Sequence, residues 1–499
     1  MGLAFLHKIR NVRAAGIRYP ADGTKMLNER HSRRILYGVS LAGLLLSSCT
    51  ADTAFNGVSA DSVSRQGETS TQTESLRQVS TAELKPARDG SALTLEQAVH
   101  TAIAFHPSID EAVGKIQQST SEIEVARAGY YPKISGGINS GYETTDGGNW
   151  RPRVNVNASQ MIYDFGKVSS SVEARTAGAN VSRTELLLGV DTLARDTANA
   201  VIEIQRYQAL MQVANAQLKG VKSIADLVRE RSTSGASTRS DAVQADARVN
   251  AAQSTVLEIS GQLDHWQTTL AGLIGRSGAV SVASGVPQWL SNTCSASEPD
   301  WSQSPTVLQA EARKAEALAQ AKYAHAQGLP TLALEAGAGY DLNQSSRNTS
   351  ASNEPEVTVG LNLSGSLYDG GATTAGRKAA DHAVTAADAA IRNAKLSLSS
   401  SLTQARSQIS SLQRMLASLS ERESLLSETR DLYRHQYVEL GTRTLLDLLN
   451  AEQELHQAGF DKANSTHDLR RLGVECLYNS GRSRELLGLR GVTIRGVML

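Results

Sequence analysis

The chain has 499 residues with equal numbers of basic and acidic side chains, so its formal net charge at pH 7 is zero. A neutral balance with no basic excess argues against nucleic acid as a partner. Aromatic residues make up only 4% of the sequence, too few for the core of a compact protein of this length. Abundant small residues are instead typical of long, closely packed helices.

The N-terminal region has the features of a secretory signal. Arg33 and Arg34 precede an apolar run over residues 35–46, which is too short to span a bilayer comfortably. The following Ser47-Ser48-Cys49 completes a sequence that resembles a bacterial lipobox, and this resemblance implies that Cys49 is acylated. An ordinary signal cut nearby, with an incidental cysteine, is the alternative.

We therefore assign residues 1–48 to a signal peptide of the lipoprotein type. Residues 49–93 are rich in Ser, Thr, Gly, Asp and Gln and are predicted to form a flexible tether. Translation starts at Met1 or at Met26, because the stretch before Met26 is unusually long for a signal.

The rest of the chain is two copies of one unit. Pro107 and Pro132 recur as Pro305 and Pro330 at an offset of 198, and the pattern Gly-x-x-Thr-x-x-Asp recurs at an offset of 206. The change of offset falls in a loop, where an insertion is tolerated. An ordered series of matches indicates a structural duplication.

Each copy is predicted to contain a helix, a β-hairpin, a very long helix and a return helix. Two long proline-free stretches carry helical apolar spacing, and at about 1.5 Å per residue each long helix extends on the order of 100 Å. The predicted segments are the first repeat unit 94–279 (hairpin 132–163, tunnel helices 168–234 and 240–274), the linker 280–303, the second repeat unit 304–482 (hairpin 330–368, tunnel helices 372–438 and 446–480) and the C-terminal tail 483–499.

The hairpin strands alternate apolar and polar residues over about ten positions, most clearly at Val357, Val359, Leu361 and Leu363. That length and period are those of a transmembrane strand with one face on lipid and the other on an aqueous lumen. A soluble half-exposed hairpin shows the same alternation. The secretory signal and the two very long helices favour the membrane interpretation.

Four strands in one chain cannot close a barrel, and lipid does not tolerate an open sheet edge, since each unpaired backbone group costs several kcal/mol. Three chains would supply twelve strands and enclose an aqueous lumen. The expected fold is therefore mostly α with a membrane β-barrel that forms only in an oligomer.

Five motifs in this sequence resemble those of the TolC family of outer-membrane efflux proteins, and the resemblance covers nearly all of residues 94–482. The last motif is the most specific of the five. The motifs are Leu95-Glu96-Gln97-Ala98, Tyr131-Pro132, Tyr163-Asp164-Phe165-Gly166, Leu367-Tyr368-Asp369-Gly370-Gly371 and Gly441-Thr442-Arg443-Thr444-Leu445-Leu446-Asp447-Leu448-Leu449-Asn450-Ala451.

The resemblance implies a homotrimer with a twelve-stranded barrel in the outer membrane of a Gram-negative bacterium and a twelve-helix periplasmic tunnel. It also implies a periplasmic adaptor and an inner-membrane pump of the ABC or RND type as partners. The second tip is more similar to members that serve protein (type I) secretion, which we favour. The lipobox is more similar to members that serve drug or metal efflux.

The two helical hairpin tips carry the candidate functional residues. Glycine at each tip supplies the positive φ that ends a helix, and Thr238 or Ser240 in the first copy and Thr444 in the second are candidate N-caps. The resemblance assigns both tips to adaptor docking. The tip residues are Gly235, Thr238, Asp241, Gly441, Arg443, Thr444 and Asp447.

Acidic residues before the second tip, Glu428, Asp431 and Glu439, are gate candidates, because a trimer would repeat them as a ring of carboxylates. A solvated helix face is the alternative for each. Arg443 is a candidate partner for an acid on a neighbouring chain or on the adaptor.

Cys294 lies in the linker and Cys476 near the end of the last tunnel helix. With Cys49 acylated, they are the remaining thiols in an oxidising compartment and are therefore candidates for a disulfide with each other. No Cys/His cluster has metal-ligand spacing, and we expect neither a metal nor another cofactor.

The sequence contains no catalytic constellation, so an enzyme is not expected. A structural coiled-coil lipoprotein without a pore explains the helices and the signal, but not the paired alternating strands. A periplasmic adaptor also has long helical hairpins, but it needs flanking soluble β-domains that this sequence lacks. An export channel is the favoured interpretation.

Overall fold

The computed structural model describes residues 92–144, 149–294, 299–342 and 355–499. The predicted signal peptide, the lipidation site Cys49 and nearly all of the tether lie outside the described residues. Within them, no helix is long and apolar enough to cross a membrane.

The order of elements confirms the predicted duplication of helix, hairpin, long helix and return helix. In the first copy the elements are α1 (Leu95–Phe105), α2 (Pro107–Arg127), β1 (Lys133–Glu143), β2 (Asn149–Tyr163), α3 (Lys167–Thr233) and α4 (Arg239–Ile274). In the second they are α5 (Pro305–Gln327), β3 (Thr331–Asp341), β4 (Glu356–Ser364), α6 (Ala372–His435) and α7 (Leu445–Asn479), followed by the short α8 (Ser483–Leu486), β5 (Thr493–Ile494) and β6 (Val497–Met498).

The first copy opens with two helices where the sequence predicted one. His106 has extended backbone geometry and its side chain accepts a hydrogen bond from the N–H of Ser108, so it caps α2. Pro107 occupies the first turn of α2, where its missing N–H costs no hydrogen bond. The chain therefore bends between α1 and α2 while both helix ends stay satisfied.

Helices α3 and α6 run along the whole length of the helical part. On the side of the strands the helices pack in the order α2, α3, α5, α6, and on the side of the helical hairpin tips in the order α4, α3, α7, α6. At 67 and 64 residues, the two long helices are each about 100 Å long. The helical part of the described residues is thus one layer of four helices for most of its length.

The largest apolar core of the described residues lies halfway along α3, and we call this core the belt. Leu186, Val190 and Ile202 of α3 are almost completely buried there against Leu95 and Ile103 of α1. The end of the predicted tether joins this core, because Leu93 forms a parallel bridge with Val282 and is completely buried.

The segment predicted as a C-terminal tail packs into the belt. Leu489 and Ile494 are buried in the main core, and the carbonyl of Leu487 lies 2.7 Å from Nε2 of His100. Sequence patterns did not reveal this packing because the segment is short and its partners His100 and Asp191 lie 387 and 292 positions away.

Asp191 of α3 anchors this C-terminal segment from inside the core. Its carboxylate is fully buried, accepts a 2.7 Å hydrogen bond from Ser483 and lies 3.6 Å from Nε of Arg484. Burial raises the pKa of Asp191 to about 6, although the hydrogen bond from Ser483 and the charge of Arg484 oppose that shift. The folded protein therefore binds a proton here more tightly than the unfolded chain.

The Asp191→Asn variant removes this titration. Between about pH 4 and pH 6 the unfolded chain releases the proton before the folded protein does, so wild-type stability falls with rising pH. We measure the free energy of unfolding in detergent micelles. As the pH rises through this window, the value for the variant should increase relative to the wild type by up to about 3 kcal/mol.

The control is Asp196→Asn, an exposed acid on the same helix. The free energy of unfolding of this control should depend on pH as it does in the wild type. Parallel pH profiles for Asp191→Asn and the wild type would contradict the prediction.

Candidate functional site: the two-faced sheet and the helical tips

The four long strands form one antiparallel sheet in the order β1-β2-β3-β4. The register places the apolar residues of neighbouring strands side by side, as in the pairs Ile138–Val154 and Leu334–Leu361. On the second strand the alternation continues with Val156, which pairs with Ala338 of β3. One face of the sheet is therefore apolar along all four strands.

The apolar face is exposed in the single chain. Val357, Val359, Leu361 and Leu363 of β4 each expose about two thirds of their surface, and Ile134 of β1 exposes more. A continuous apolar face of this extent needs an apolar environment.

The opposite face carries polar side chains that bond to one another across the strands. Arg153 of β2 forms an ion pair with Glu356 of β4, and its Nε lies 4.0 Å from Asp341 of β3. Gly339 lies under this guanidinium, where a Cβ would come within 2.4 Å of Arg153 Nη2. Glycine here allows the arginine to lie flat across the sheet.

Exposed aromatic residues border the apolar face at both ends. Near the hairpin turns, Tyr142 and Trp150 stack edge to face at 5.9 Å. Tyr131 and Tyr142 are eleven residues apart along the chain, which corresponds to about 28 Å of height for a strand tilted by about 40°. The two aromatic groups are Tyr142, Trp150 and Tyr340 at the turns, and Tyr130, Tyr131, Tyr163, Phe165 and Tyr368 at the helices.

Their arrangement as two borders of the apolar face was not predicted from the sequence, although Tyr131, Tyr163, Phe165 and Tyr368 lie in the family motifs. The available signal was the placement of Tyr or Trp at both ends of ten-residue alternating segments, the pattern of the interfacial girdles of membrane barrels.

Both helical tips are built by the same capping arrangement. In the first, Oγ1 of Thr238 accepts from the N–H of Asp241, whose carboxylate accepts from the N–H of Thr238. Thr444 and Asp447 repeat this arrangement in the second tip. The structure therefore selects Thr238 over Ser240 as the N-cap of α4.

The hydrogen bonds in the caps lower the pKa values of both aspartates. For Asp241 the N–H of Thr238 makes the largest contribution, and for Asp447 the hydroxyl of Thr444 does. Both carboxylates are thus ionised at the positive ends of their helices, which favours a structural role. Gly235 and Gly441 turn the chain before the caps with φ values of 78° and 62°.

Arg443 binds within its own chain. Its guanidinium lies 4.4 Å from the ring centre of Tyr433, and its Nε donates to Oε1 of Gln436 at 3.2 Å. The carboxylate of Asp447 lies 4.0 Å from the guanidinium. These contacts hold Arg443 against the end of the second long helix.

The gate candidates do not form one α-helical stripe. Asp431 pairs with the neighbouring Arg430 at 2.6 Å, and Glu439 lies 3.1 Å from His435. Residues Gln436–Leu440 form a π-helical turn, which changes the register between Asp431 and Glu439. The sequence argument assumed an uninterrupted α-helix here, and Glu428 remains an exposed residue of α6.

Comparison with known proteins agrees with this architecture. The model of the outer membrane efflux protein family matches residues 98–276 and 301–471. The chain belongs to this family. As a family member, it is an outer-membrane protein.

Among solved structures, the outer membrane protein VceC of Vibrio cholerae has a TM-score of 0.66 at 18% identity, over 78% of this chain and 96% of that one. The CmeC outer membrane channel of Campylobacter jejuni has a TM-score of 0.64 at 13% identity, over 80% of this chain and 90% of that one. At these identities the likeness establishes the fold.

Two curated relatives are each 25% identical over part of their length. Protein CyaE of Bordetella pertussis matches 301 residues, 56% of this chain and 61% of that protein. Nodulation protein T of Rhizobium leguminosarum bv. viciae matches 170 residues, 33% of this chain and 34% of that protein. The matched part of this efflux-family chain thus spans about a third to three fifths of these relatives.

The structure of this efflux protein joins Cys294 to Cys476 as a disulfide, with a Cα–Cα distance of 5.3 Å. The linker approaches α7 closely at this point. Thr293 donates to the carbonyl of Gly473 at 2.9 Å, and a Cβ at Gly473 would lie 2.9 Å from the carbonyl oxygen of Leu290. The disulfide closes a loop that contains the whole second β-hairpin, β3 and β4.

The Cys294→Ser variant tests this bond. On non-reducing gels of denatured protein we expect slower migration than for the wild type, because the wild-type chain keeps a closed loop of 182 residues. Loss of that constraint should lower the free energy of unfolding by about 5 kcal/mol in the chain-entropy estimate.

Cys476→Ser should behave in the same way, and under reducing conditions all three proteins should migrate together. Unchanged migration of the variants on the non-reducing gel would show that no disulfide forms.

Proposed function

We propose that three copies of this chain form an outer-membrane channel, with a twelve-stranded barrel continuous with a periplasmic tunnel of twelve helices. Each copy contributes four strands and the helices α3, α4, α6 and α7. The channel conducts substrates passively from an inner-membrane pump and a periplasmic adaptor. The observation that carries this proposal is a two-faced sheet with open edges, joined directly to two very long helical hairpins.

The open edges of the sheet and of the helical layer lie on the same two sides of the chain. β1, α2 and α4 form one side, and β4 and α6 form the other. Lipid does not tolerate an open strand edge, so β4 of one copy must pair with β1 of the next.

Apolar residues on the helical edges support the same closure. Leu257 of α4 exposes 67% of its surface, and Leu425 and Leu432 of α6 expose more than half of theirs. Within the described part of one chain, α6 buries only Leu398, Leu402 and Ala405. A neighbouring copy would cover these helix faces.

The exposed apolar face argues against a structural lipoprotein without a pore, because such a protein in water would leave this face of the sheet exposed to solvent. Its aromatic borders argue against a periplasmic adaptor for a similar reason, since aromatic girdles are suited to the two membrane interfaces. Acylation of Cys49 would add a lipid anchor to the barrel and belongs to the same proposal.

Single-channel conductance in planar bilayers tests the channel, using purified full-length protein that runs as a heat-resistant trimer on gels. We expect a small conductance for the wild type, because the tips close the periplasmic end. If carboxylates form the gate, the double variant Asp431→Asn/Glu439→Gln should conduct severalfold more, since cations that bridge the carboxylate ring and hold the tips together are no longer bound.

A neutral replacement at Asp264 of α4, far from the tips along the helix, is the matched control. Equal conductance of the double variant and the wild type would discard the gate residues and keep the channel. Absence of both trimers and conductance would favour the structural lipoprotein.

For the cargo, we propose a secreted protein in preference to drugs or metal ions. The support is the second tip sequence, Gly441-Thr442-Arg443-Thr444, which is more similar to family members that serve protein secretion. The adaptor would dock on both tips, where Asp241 and Asp447 hold the caps in shape.

Deletion of the gene in its native host distinguishes these cargoes. We expect one or more proteins to disappear from the culture medium, with unchanged growth in the presence of drugs and toxic metal ions. Increased sensitivity to these compounds with an unchanged set of secreted proteins would assign the channel to small-molecule efflux. Complementation with the intact gene is the control.

A further inference from the structure

A groove beside the belt lies between the linker and the helices α6 and α7. Its volume is about 340 Å³, which is within the range of small-molecule sites in proteins. Leu290 of the linker, Ile409 of α6 and Leu469 of α7 form apolar walls. Arg470 of α7 is the one charged side chain among the described residues that line this groove. The groove therefore combines apolar walls with a single positive charge.

Two acceptors hold the guanidinium of Arg470 in place through one nitrogen. Its Nη1 donates to Oε1 of Gln205 at 3.2 Å and to Nε2 of His467 at 3.0 Å. His467 accepts this bond because burial keeps its ring neutral and its Nδ1 donates to the carbonyl of Ala463 at 2.8 Å. The other two nitrogens of Arg470, Nε and Nη2, have no acceptor among the described residues.

No carboxylate of the described residues forms an ion pair with Arg470, although acidic side chains lie close by. Asp468 lies 2.7 Å from Arg206 and 3.6 Å from Arg471, and Glu203 lies 3.3 Å from Arg206. Burial lowers the pKa of Arg470 below its ordinary value, because the charged form loses hydration. A half-buried cation is normally balanced by an opposite charge, so an anion bound in the groove would stabilise this one.

The free edge of the guanidinium and the walls define the chemistry of that anion. Nε and Nη2 lie side by side on one edge and match the two oxygens of a carboxylate. A small inorganic anion would leave the walls formed by Leu290, Ile409 and Leu469 without a partner. A molecule with one carboxylate and an apolar body uses both parts of the groove.

The groove lies far from the membrane that the channel proposal places around the sheet. Helix α3 begins at Lys167, directly after β2, and Gln205 is 38 residues further along this helix. At about 1.5 Å per residue, Gln205 and the guanidinium that it binds are about 57 Å from the sheet. A lipid headgroup in the bilayer does not reach this level, so the occupant must be soluble.

We propose that this groove is a binding site for a soluble amphiphilic carboxylate. The carboxylate accepts hydrogen bonds from Nε and Nη2 of Arg470, and the apolar body packs against Leu290, Ile409 and Leu469. The proposal uses the channel function only to place the membrane.

Titration calorimetry with 2-naphthoate tests the site, using purified full-length protein in a non-ionic detergent at equal concentration in cell and syringe. We expect saturable binding of one probe per chain. The neutral analogue 2-naphthamide should bind at least tenfold more weakly, because it has no carboxylate. Arg470→Gln should raise the Kd for 2-naphthoate at least tenfold, the change expected when a hydrogen bond to a charged group is lost.

Arg471→Gln is the matched control. Arg471 is the next residue, is exposed and pairs with Asp468 outside the groove lining, so this variant removes the same charge and should keep the wild-type Kd. Gln413→Glu tests the groove from α6, where Gln413 is an exposed lining residue. The new carboxylate should raise the Kd at least tenfold, because it pairs with Arg470 and repels the probe.

Equal Kd values for the wild type, Arg470→Gln and Arg471→Gln would overturn the proposal, because the probe would then bind to micelles or to another surface. Equal binding of 2-naphthoate and 2-naphthamide would do the same. Absence of saturable binding to the wild type would also reject the site and would indicate that a neighbouring copy covers the groove.

If Arg470→Gln does not fold, Gln413→Glu decides, and an unchanged Kd in that variant would reject the site. The calorimetric result does not depend on conductance. Failure of the channel in planar bilayers can therefore be distinguished from failure of this site.

Discussion

The burial of helix α3 is the interaction on which the rest of this structure depends. On the strand side α3 packs against α2 and α5, at the belt against α1, and on the tip side against α4 and α7. Val190, Ala194 and Ile202 at the belt and Ala225 and Val228 near the tip are almost completely buried. A single continuous helix therefore sets the position of the hairpins of both copies.

The consequence of this arrangement is that the helices of the described residues form a layer with two open edges. Each half of the layer ends in α6 on one side and in α2 or α4 on the other, and the sheet ends in β4 and β1 on the corresponding sides. An open helical edge in water costs little, but an open strand edge in lipid costs several kcal/mol for each unpaired group. The membrane part therefore imposes the stricter requirement for closure.

The belt and the tips use polar side chains in different ways. At the belt, Asp191 and His467 are desolvated, and burial lowers the pKa of His467 to about 4, so that it stays neutral. Its Nδ1 lies 2.8 Å from the carbonyl of Ala463, and Arg470 approaches Nε2 at 3.0 Å. At the tips, Asp241 and Asp447 stay ionised because they accept hydrogen bonds from their own helix starts.

The sequence alone determined those features that depend on neighbours along the chain. The capping threonines, the tip glycines, the alternating strands and the helix lengths all follow from spacing within a few residues or a few turns. The duplication was also visible, because both copies keep the same prolines and tip motif in the same order. The family and the fold could therefore be predicted before the structure.

Tertiary structure decided the features that join distant parts of the chain. The C-terminal segment packs on Asp191 from 292 positions away, and Cys294 pairs with Cys476 over 182 positions, a bond for which the sequence supplied only the candidate cysteines. Periodicity carries no information about such partners. The π-turn at Gln436–Leu440 was missed for a related reason, since its sequence has ordinary helical composition and its Tyr437 packs against residues of α3 that lie about 200 positions earlier.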